Sequence, residues 1–480
     1  NLVGSETLNL SGTGTIASKN VGSNKTVSLG TLALADDTGL AANYTLSGGT
    51  HQLTVNQRPL NATLSRQYDG TTTAAGSTLS SFDALQGGEN LTMTGSGTAA
   101  SANVANGIAM SNNGNLALVD GTGLASNYSL NSTVINITQR VLNSSGSKTY
   151  DANTNALAAD ITLSNLVSGE TLNHSGTATI GSANAGSYTI TNLAGITIAD
   201  NAGLASNYTL TGGTHNFTVN QKVISLSGSR LYDASTDAVA SDLATISGLV
   251  GSETLNLSGT GSVANANVAS NKTVTLGTLA LADDTGLAAN YTLSGGTHQL
   301  TINQRPLAAT IARQYDGTKT AAGSDLSSFD ALQGGETLTL SGSGTVGDEN
   351  VANGQGVTLG SLALVNGTGL ASNYSLNSAS LNITKRVLNS SGSKTYDANT
   401  DALAGAITLS NLVSGEALNH SGTATISSAN AGSYTITNLS GISIADGSGG
   451  TASNYTLTGG THNFTVNRRA VSVSGTRLYD

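Results

Sequence analysis

The chain of 480 residues carries 60 glycines and no cysteine, and its 10% of charged residues sum to a net charge of −10. Without cysteine there are no disulfides, thiolate metal sites or cysteine nucleophiles, and without a Lys/Arg cluster the electrostatic footprint of a nucleic-acid or anionic-membrane partner is missing. The 38% of hydrophobic residues suffices for a folded core, whereas Glu, Lys and Arg are too scarce to clothe long helices.

The elements recur along the chain. Tyr-Asp stands at Tyr68-Asp69, Tyr150-Asp151, Tyr232-Asp233, Tyr315-Asp316, Tyr396-Asp397 and Tyr479-Asp480, in steps of 82, 82, 83, 81 and 83 residues. A period of that size marks one small structural unit copied in tandem. Residues 1–67 form a partial module; modules at 68–149, 150–231, 232–314 and 315–395 follow, and 396–480 ends at the start of the next. Residues 2–60 and 249–307 differ at only seven positions, so three kinds of module are arranged twice. The chain reads as a piece of a longer repeat protein.

Within 150–231 the Tyr-Asp turn leads to an apolar run at 161–167, broken by Ser168-Gly169-Glu170. Alternation then places Leu172 and His174 on one face, Tyr188 and Ile190 on another stretch, and Ile196 and Ile198 on a third. This is the period of a β-strand. After Asp200-Asn201-Ala202-Gly203 come Asn207-Tyr208, a Gly212-Gly213 turn, and Phe217 alternating with Val219; Ile224 and Leu226 carry the pattern into the next module. Short strands at roughly 8–12-residue spacing predict an all-β chain: a tandem array of about six immunoglobulin-like antiparallel β-sandwich modules stacked end to end. No helix is required. The alternatives are a β-grasp-like module with a helical turn at 160–167, and a β-solenoid, which calls for a far shorter rung period.

Two sets of tyrosines follow the repeat: the six of Tyr-Asp and the six of Asn-Tyr, at Tyr44, Tyr128, Tyr208, Tyr291, Tyr374 and Tyr455. In a chain with no Trp and four Phe these are the largest groups to bury, and a buried phenol needs a partner for its hydroxyl, as in a tyrosine corner. The Asp of Tyr-Asp, followed by Gly or Ala and then Thr, Asn or Ser, has the chemistry of a turn closed by its own carboxylate. A sharper reading joins that Asp to Glu6, Glu89, Glu170, Glu253, Glu336 and Glu416 and to Asp36, Asp120, Asp200, Asp283 and Asp446 as calcium ligands at module joins. Calcium takes six to eight oxygens, each of these turns offers one or two, and Asn366 replaces one Asp. The cofactor expectation is therefore none.

His51, His215, His298 and His462 follow Gly-Thr, and His174 and His420 stand where sister modules carry Leu10, Met93, Leu257 and Leu340; both patterns read as strand packing. No module carries a unique acidic cluster for glycoside hydrolysis, and Lys is too scattered for one isopeptide cross-link per module. The chain reads as a non-enzyme.

Tyr-Asp-Gly or Tyr-Asp-Ala, the Asn-Tyr strand and the Asn-Gln-Arg or Asn-Gln-Lys exit together resemble the YDG-type repeats of large secreted bacterial proteins related to filamentous haemagglutinins. The resemblance covers all six modules. It implies a structural segment of an adhesin stalk or surface filament, secreted or at the bacterial cell surface. Its partners would be flanking repeats or copies of itself, with host or matrix glycans as the alternative through exposed Tyr and Asn. Neither nucleic acid nor membrane insertion is expected. The segment Arg469–Asp480 also repeats the opening strand that residues 1–67 lack, so one chain is expected to be able to complete the first module of the next.

Overall fold

The computed structural model describes residues 1–477; Leu478, Tyr479 and Asp480, and with them the last Tyr-Asp pair, lie outside the described residues. The chain divides into two units, Asn1–Lys222 with Ala289–Tyr291, and Val223–Ala288 with Thr292–Asp480.

The third module, in the first unit, shows the plan. Its strands are β1 Arg140–Val141, β2 Asn143–Thr149, β3 Asn155–Leu157, β4 Ile161–Ser164, β5 Asn173–Ile180, β6 Gly186–Asn192, β7 Ile196–Ala199, β8 Tyr208–Thr209 and β9 His215–Asn220. Along β9 the side chains alternate as the sequence pattern requires, with His215, Phe217 and Val219 buried. The sheet runs β3-β5-β6-β9-β2-β4, and β7 pairs with the first half of β5. Strand β5 therefore serves two layers, pairing β7 over 173–176 and β3 over 177–179. Its bend falls at Gly176, where φ is +103° and a Cβ would meet the Gly195 carbonyl oxygen at 1.9 Å. Only glycine fits there.

One feature departs from the antiparallel sandwich. The entering strand β2 and the exit strand β9 are parallel, Gly146 opposite Phe217 and Lys148 opposite Val219. The same pairing joins Arg58–Gln67 to Tyr128–Thr138 in this unit. In the second unit it joins Ser225–Leu231 to His298–Asn303, Arg305–Gln314 to Tyr374–Thr384, and Asn389–Thr395 to His462–Asn467. The cause is connectivity: a module that hands its chain on without a linker must enter and leave in the same direction, and two strands running the same way pair in parallel.

Helical structure among the described residues is confined to 3₁₀ turns of three or four residues, including Ala158–Asp160 at the point where a helical turn was the β-grasp alternative. Among the described residues no helix is long and apolar enough to cross a membrane. The all-β module stands.

In the first unit a single buried cluster contains Leu64, Tyr68, Ile135 and Ile137 of the second module together with Leu142, Leu172 and Tyr208 of the third. In the second unit Ile311, Tyr315, Leu381 and Ile383 share a cluster with Leu388, Leu418 and Tyr455. Apolar burial, at roughly 1.5–3 kcal/mol for a large side chain, thus runs through these joins instead of stopping at module ends. A cut at Tyr-Asp separates each entering strand from the exit strand it pairs with, so the structural module starts one strand earlier than the Tyr-Asp pair.

Candidate functional site

The recurring residues converge where one module meets the next. In the first unit Tyr68, at the end of the second module's entering strand, donates its hydroxyl to Glu170 Oε1 of the third module at 2.5 Å. Tyr208 donates to Glu170 Oε2 at 2.6 Å and accepts from the Val167 amide at 3.0 Å. The two rings meet edge to face, centroids 5.5 Å apart, an arrangement the aromatic quadrupole favours.

The second unit repeats this twice. Tyr232 and Tyr374 donate to the two oxygens of Glu336, each at 2.6 Å, and Tyr315 and Tyr455 to those of Glu416 at 2.7 and 2.6 Å. The ring centroids lie 5.2 and 5.4 Å apart. In the first unit the Tyr150 and Tyr291 rings are also edge to face, at 5.3 Å.

Burial, followed by the hydrogen bond to glutamate, pushes Tyr208, Tyr232, Tyr374 and Tyr455 up to about 12, and Tyr315 is raised by the same two causes. The phenols are held neutral, as donors to a carboxylate. Tyr396 is 38% exposed where Tyr315 is 4% exposed: a Tyr-Asp ring is buried by the module that packs over it.

The Asn of Asn-Tyr ties the same seam. Asn207 Oδ1 accepts from the Val104 amide at 2.9 Å and its Nδ2 donates to Asn103 Oδ1 at 3.0 Å, back into the preceding module. Asn127 does the same to Val21 and Asn20, Asn373 to Val268 and Asn267, and Asn454 to Val351 and Asn350. Gln139, of the exit motif, donates to the Ser206 carbonyl at 3.2 Å, and Arg140 to the Tyr68 carbonyl at 3.4 Å. These asparagines, and the glutamate's part as shared acceptor, were not read from the sequence. The signal was there: an Asn before Val or Ala recurs at Asn20, Asn103, Asn184, Asn267, Asn350 and Asn430 with the same period.

The Asp of Tyr-Asp closes its own turn. Asp69 Oδ1 accepts from the Thr71 amide and hydroxyl, both at 2.9 Å, and from Arg66; Asp316 accepts from Thr318 and Arg313 in the same way. In the Lys modules, Lys148 sits 2.8 Å from Asp151 and Lys394 2.9 Å from Asp397. Burial pulls Asp151 upward, but the Lys148 ammonium and the Asn153 amide outweigh it and hold it below the ordinary carboxylate range; Lys394 does the same for Asp397. The third residue of the motif has a left-handed backbone whether it is Gly70 (φ +78°) or Ala234 (φ +64°).

The carboxylates raised as calcium ligands sit apart in these roles. Asp36, Asp120, Asp200 and Asp283 each accept from the amide five residues on at 2.7 Å, and Asn366 accepts equally well, an exchange a turn tolerates. Among the described residues no group of three or more His, Asp or Glu is arranged to hold a metal ion. The histidines are wired into strands: His215 donates from Nε2 to the Leu210 carbonyl at 2.7 Å and accepts at Nδ1 from Ser144 at 2.9 Å, and His174 lies within 3.0 Å of two carbonyls. Five Asn-Tyr rings, Tyr128, Tyr208, Tyr291, Tyr374 and Tyr455, are buried and offer no exposed platform for sugar stacking.

At the join between the first two modules, residues 1–67 hold no Tyr-Asp pair to reach Glu89. Glu89 Oε2 accepts from Tyr128 at 2.6 Å, while Oε1 has Lys19 Nζ at 3.6 Å where the other seams place a Tyr-Asp ring. A cavity of about 460 Å³ opens there, lined by Lys19, Val55, Asn56, Arg58, Glu89 and Tyr128 among others.

A family model described as the YDG domain matches residues 1–52, 50–135, 136–217, 214–302, 296–383 and 381–462. No curated protein matches the chain. Among solved structures, Drosophila N-cadherin EC1-4 aligns at 8% identity over 86% of this chain and all of that one, with a TM-score of 0.13, too low to bear on the fold.

Proposed function

Because the chain belongs to the YDG domain family, repeated six times over residues 1–462, we propose a structural function: a repeat segment of an extracellular bacterial adhesin stalk or surface filament, of the filamentous-haemagglutinin kind its motifs resemble. The supporting observation is the seam in which one glutamate accepts hydroxyls from two modules, as Glu170 does from Tyr68 and Tyr208. The side chains that define the repeat hold modules together, which is what a load-carrying spacer needs and what a catalytic array does not. A cysteine-free chain also suits export in the unfolded state, since it requires no oxidant to mature. Its partners in this role are neighbouring repeats.

Small-angle scattering of the full chain tests the spacer. A compact 480-residue globule has a radius of gyration of about 23 Å; six modules in line, on the order of 150–240 Å long, are expected at about two to three times this, and a value near the globular one would refute the reading. Antibody labelling of intact against lysed source cells tests location, with signal on intact cells expected.

A further inference from the structure

Tension along the backbone meets the same two strands in the second to sixth modules. One residue separates an exit strand from the next entering strand: Gln139 in the first unit, Gln304 and Lys385 in the second. A pull therefore reaches a module at the first residue of its entering strand and leaves at the last residue of its exit strand. Because the two strands are parallel, these points lie at opposite ends of one ladder. In the second module Arg58 stands opposite Tyr128 and Gln67 opposite Thr138, so Arg58 and Thr138 are drawn apart along the strand axis and the hydrogen bonds between them are loaded together. An antiparallel pair would put both points at one end, where bonds open one at a time.

The ladder is built in two ways. In the second module ten residues, Arg58–Gln67, pair with the exit strand, and the register shifts once, between Leu130 and Ser132. The fifth module has the same ten pairs, between Arg305–Gln314 and Tyr374–Thr384. In the third module two pairs, Arg140–Val141 with Tyr208–Thr209, are parted from six, Ser144–Thr149 with His215–Asn220. Between them the five residues 210–214 of the exit side stand opposite two, Leu142 and Asn143. The excess is slack, about 10 Å of chain when straightened. It is gathered by His215 Nε2, which donates to the Leu210 carbonyl at 2.7 Å, and by the Thr214 amide, which donates to Asn143 Oδ1 at 2.9 Å. Until that slack is drawn out, tension on the exit strand does not reach Tyr208 and Thr209, and six pairs carry it alone. Six pairs recur in the fourth module, Leu226–Leu231 with His298–Asn303, and in the sixth, Ser390–Thr395 with His462–Asn467. The loop before each is closed by the same histidine bond, to the Leu293 and Leu457 carbonyls.

We infer that each of these modules is a mechanical clamp loaded in shear, and that the clamps are graded: the third, fourth and sixth yield first, and the second and fifth hold. Under a sudden pull the weaker modules lengthen the chain while the stronger ones keep it folded, so load is absorbed in steps. This deepens the structural reading above and rests on it for the presence of tension.

Single-molecule force spectroscopy on the full chain, held by its two ends, tests the grading. Rupture force reads the unfolding barrier and not the equilibrium stability. Each clamp is expected to release about 80 residues, on the order of 270–290 Å of chain. Two force classes are expected, the stronger about 1.7-fold above the weaker, as ten evenly spaced pairs compare with six. Deleting Gly212 and Gly213 gives the third exit strand the spacing of the second and is expected to move one rupture from the weak class to the strong. The chain has no cysteine, so thiol handles can be placed at Gln304→Cys and Ser372→Cys. Both positions are exposed and lie at one end of the fifth ladder, where Gln304 Nε2 donates to the Ser372 carbonyl at 3.1 Å. Pulled from there the ladder peels, and its rupture force is expected to fall severalfold. One force class, a deletion variant whose third module keeps its weak rupture, or a peeling force equal to the shear force would each overturn the clamp. If the deletion unfolds the third module, seen as one rupture fewer, the handle pair decides. A single force class in a particle that scattering finds elongated refutes the grading and leaves the spacer; a compact particle refutes the spacer whatever the forces.

Discussion

Glu170 and Glu89 occupy the same turn in successive modules, and the difference between their seams shows what the Tyr-Asp ring contributes. At Glu170 two tyrosines meet, and burial is the first cause of the rise of Tyr208 to about 12. At Glu89 one tyrosine is present, and the first cause of the rise at Tyr128 is the hydrogen bond to Glu89 itself. The incoming ring therefore does more than add a hydrogen bond: it packs edge to face on the Asn-Tyr ring, which is 1% exposed at Tyr208 against 4% at Tyr128.

The largest test of this contrast is Glu170→Ala against Glu89→Ala. The first strands two buried phenol hydroxyls and is expected to cost about 3 kcal/mol, the second strands one and about 1 kcal/mol. Hydrogen-exchange protection across each join would measure both; equal losses would mean the second ring adds nothing. Next comes Gly70→Ala, which forces a side chain into a left-handed backbone and brings its Cβ to 2.8 Å from Val167 Cγ1 of the next module. A loss of about 2 kcal/mol is expected from strain and contact together, read by denaturant unfolding.

Alkaline pH should separate the seams by a smaller amount. The unfolded phenol has a value of 10.0, while Tyr208, Tyr232, Tyr374 and Tyr455 stand at about 12 when folded. A raised acid binds its proton more tightly in the folded state, so its stabilisation is complete below pH 10 and is lost as pH rises from 10 to 12. The loss is on the order of 1 kcal/mol per ring once screening by nearby solvent is allowed for. Ultraviolet titration of phenolate against unfolding would show these rings ionising only as the fold opens; ionisation near pH 10 in the folded chain would contradict their burial. The smallest effect is Ala234→Gly, which relieves a positive φ and is expected to gain about 0.5 kcal/mol, since the added freedom of unfolded glycine offsets part of the relief.

The sequence made the strands and the burial of the tyrosines legible, because both rest on period: Phe217 and Val219 alternate, and aromatics recur every 82 residues or so. It did not reveal the parallel pairing of β2 with β9, since strand direction within a sheet leaves no mark in an apolar pattern. Nor did it reveal the asparagine bridge from Asn207 to Asn103. Asparagine is common in turns of this chain, and partners about a hundred residues apart, one in each of two modules, meet only after both have folded. Glu170 drew notice as one of the repeated carboxylates, and what period alone left unread is that its partners are two phenols from different modules.

The central claim is that the Tyr-Asp ring of one module and the glutamate of the next form an energetic pin. A double-mutant cycle on Tyr315→Phe and Glu416→Ala, read by chemical unfolding of the full chain, tests it most directly. A coupling energy of about 1 kcal/mol or more is expected for a buried hydroxyl-to-carboxylate bond. Strictly additive losses would contradict the pin and leave the recurring pair without a role at the seam.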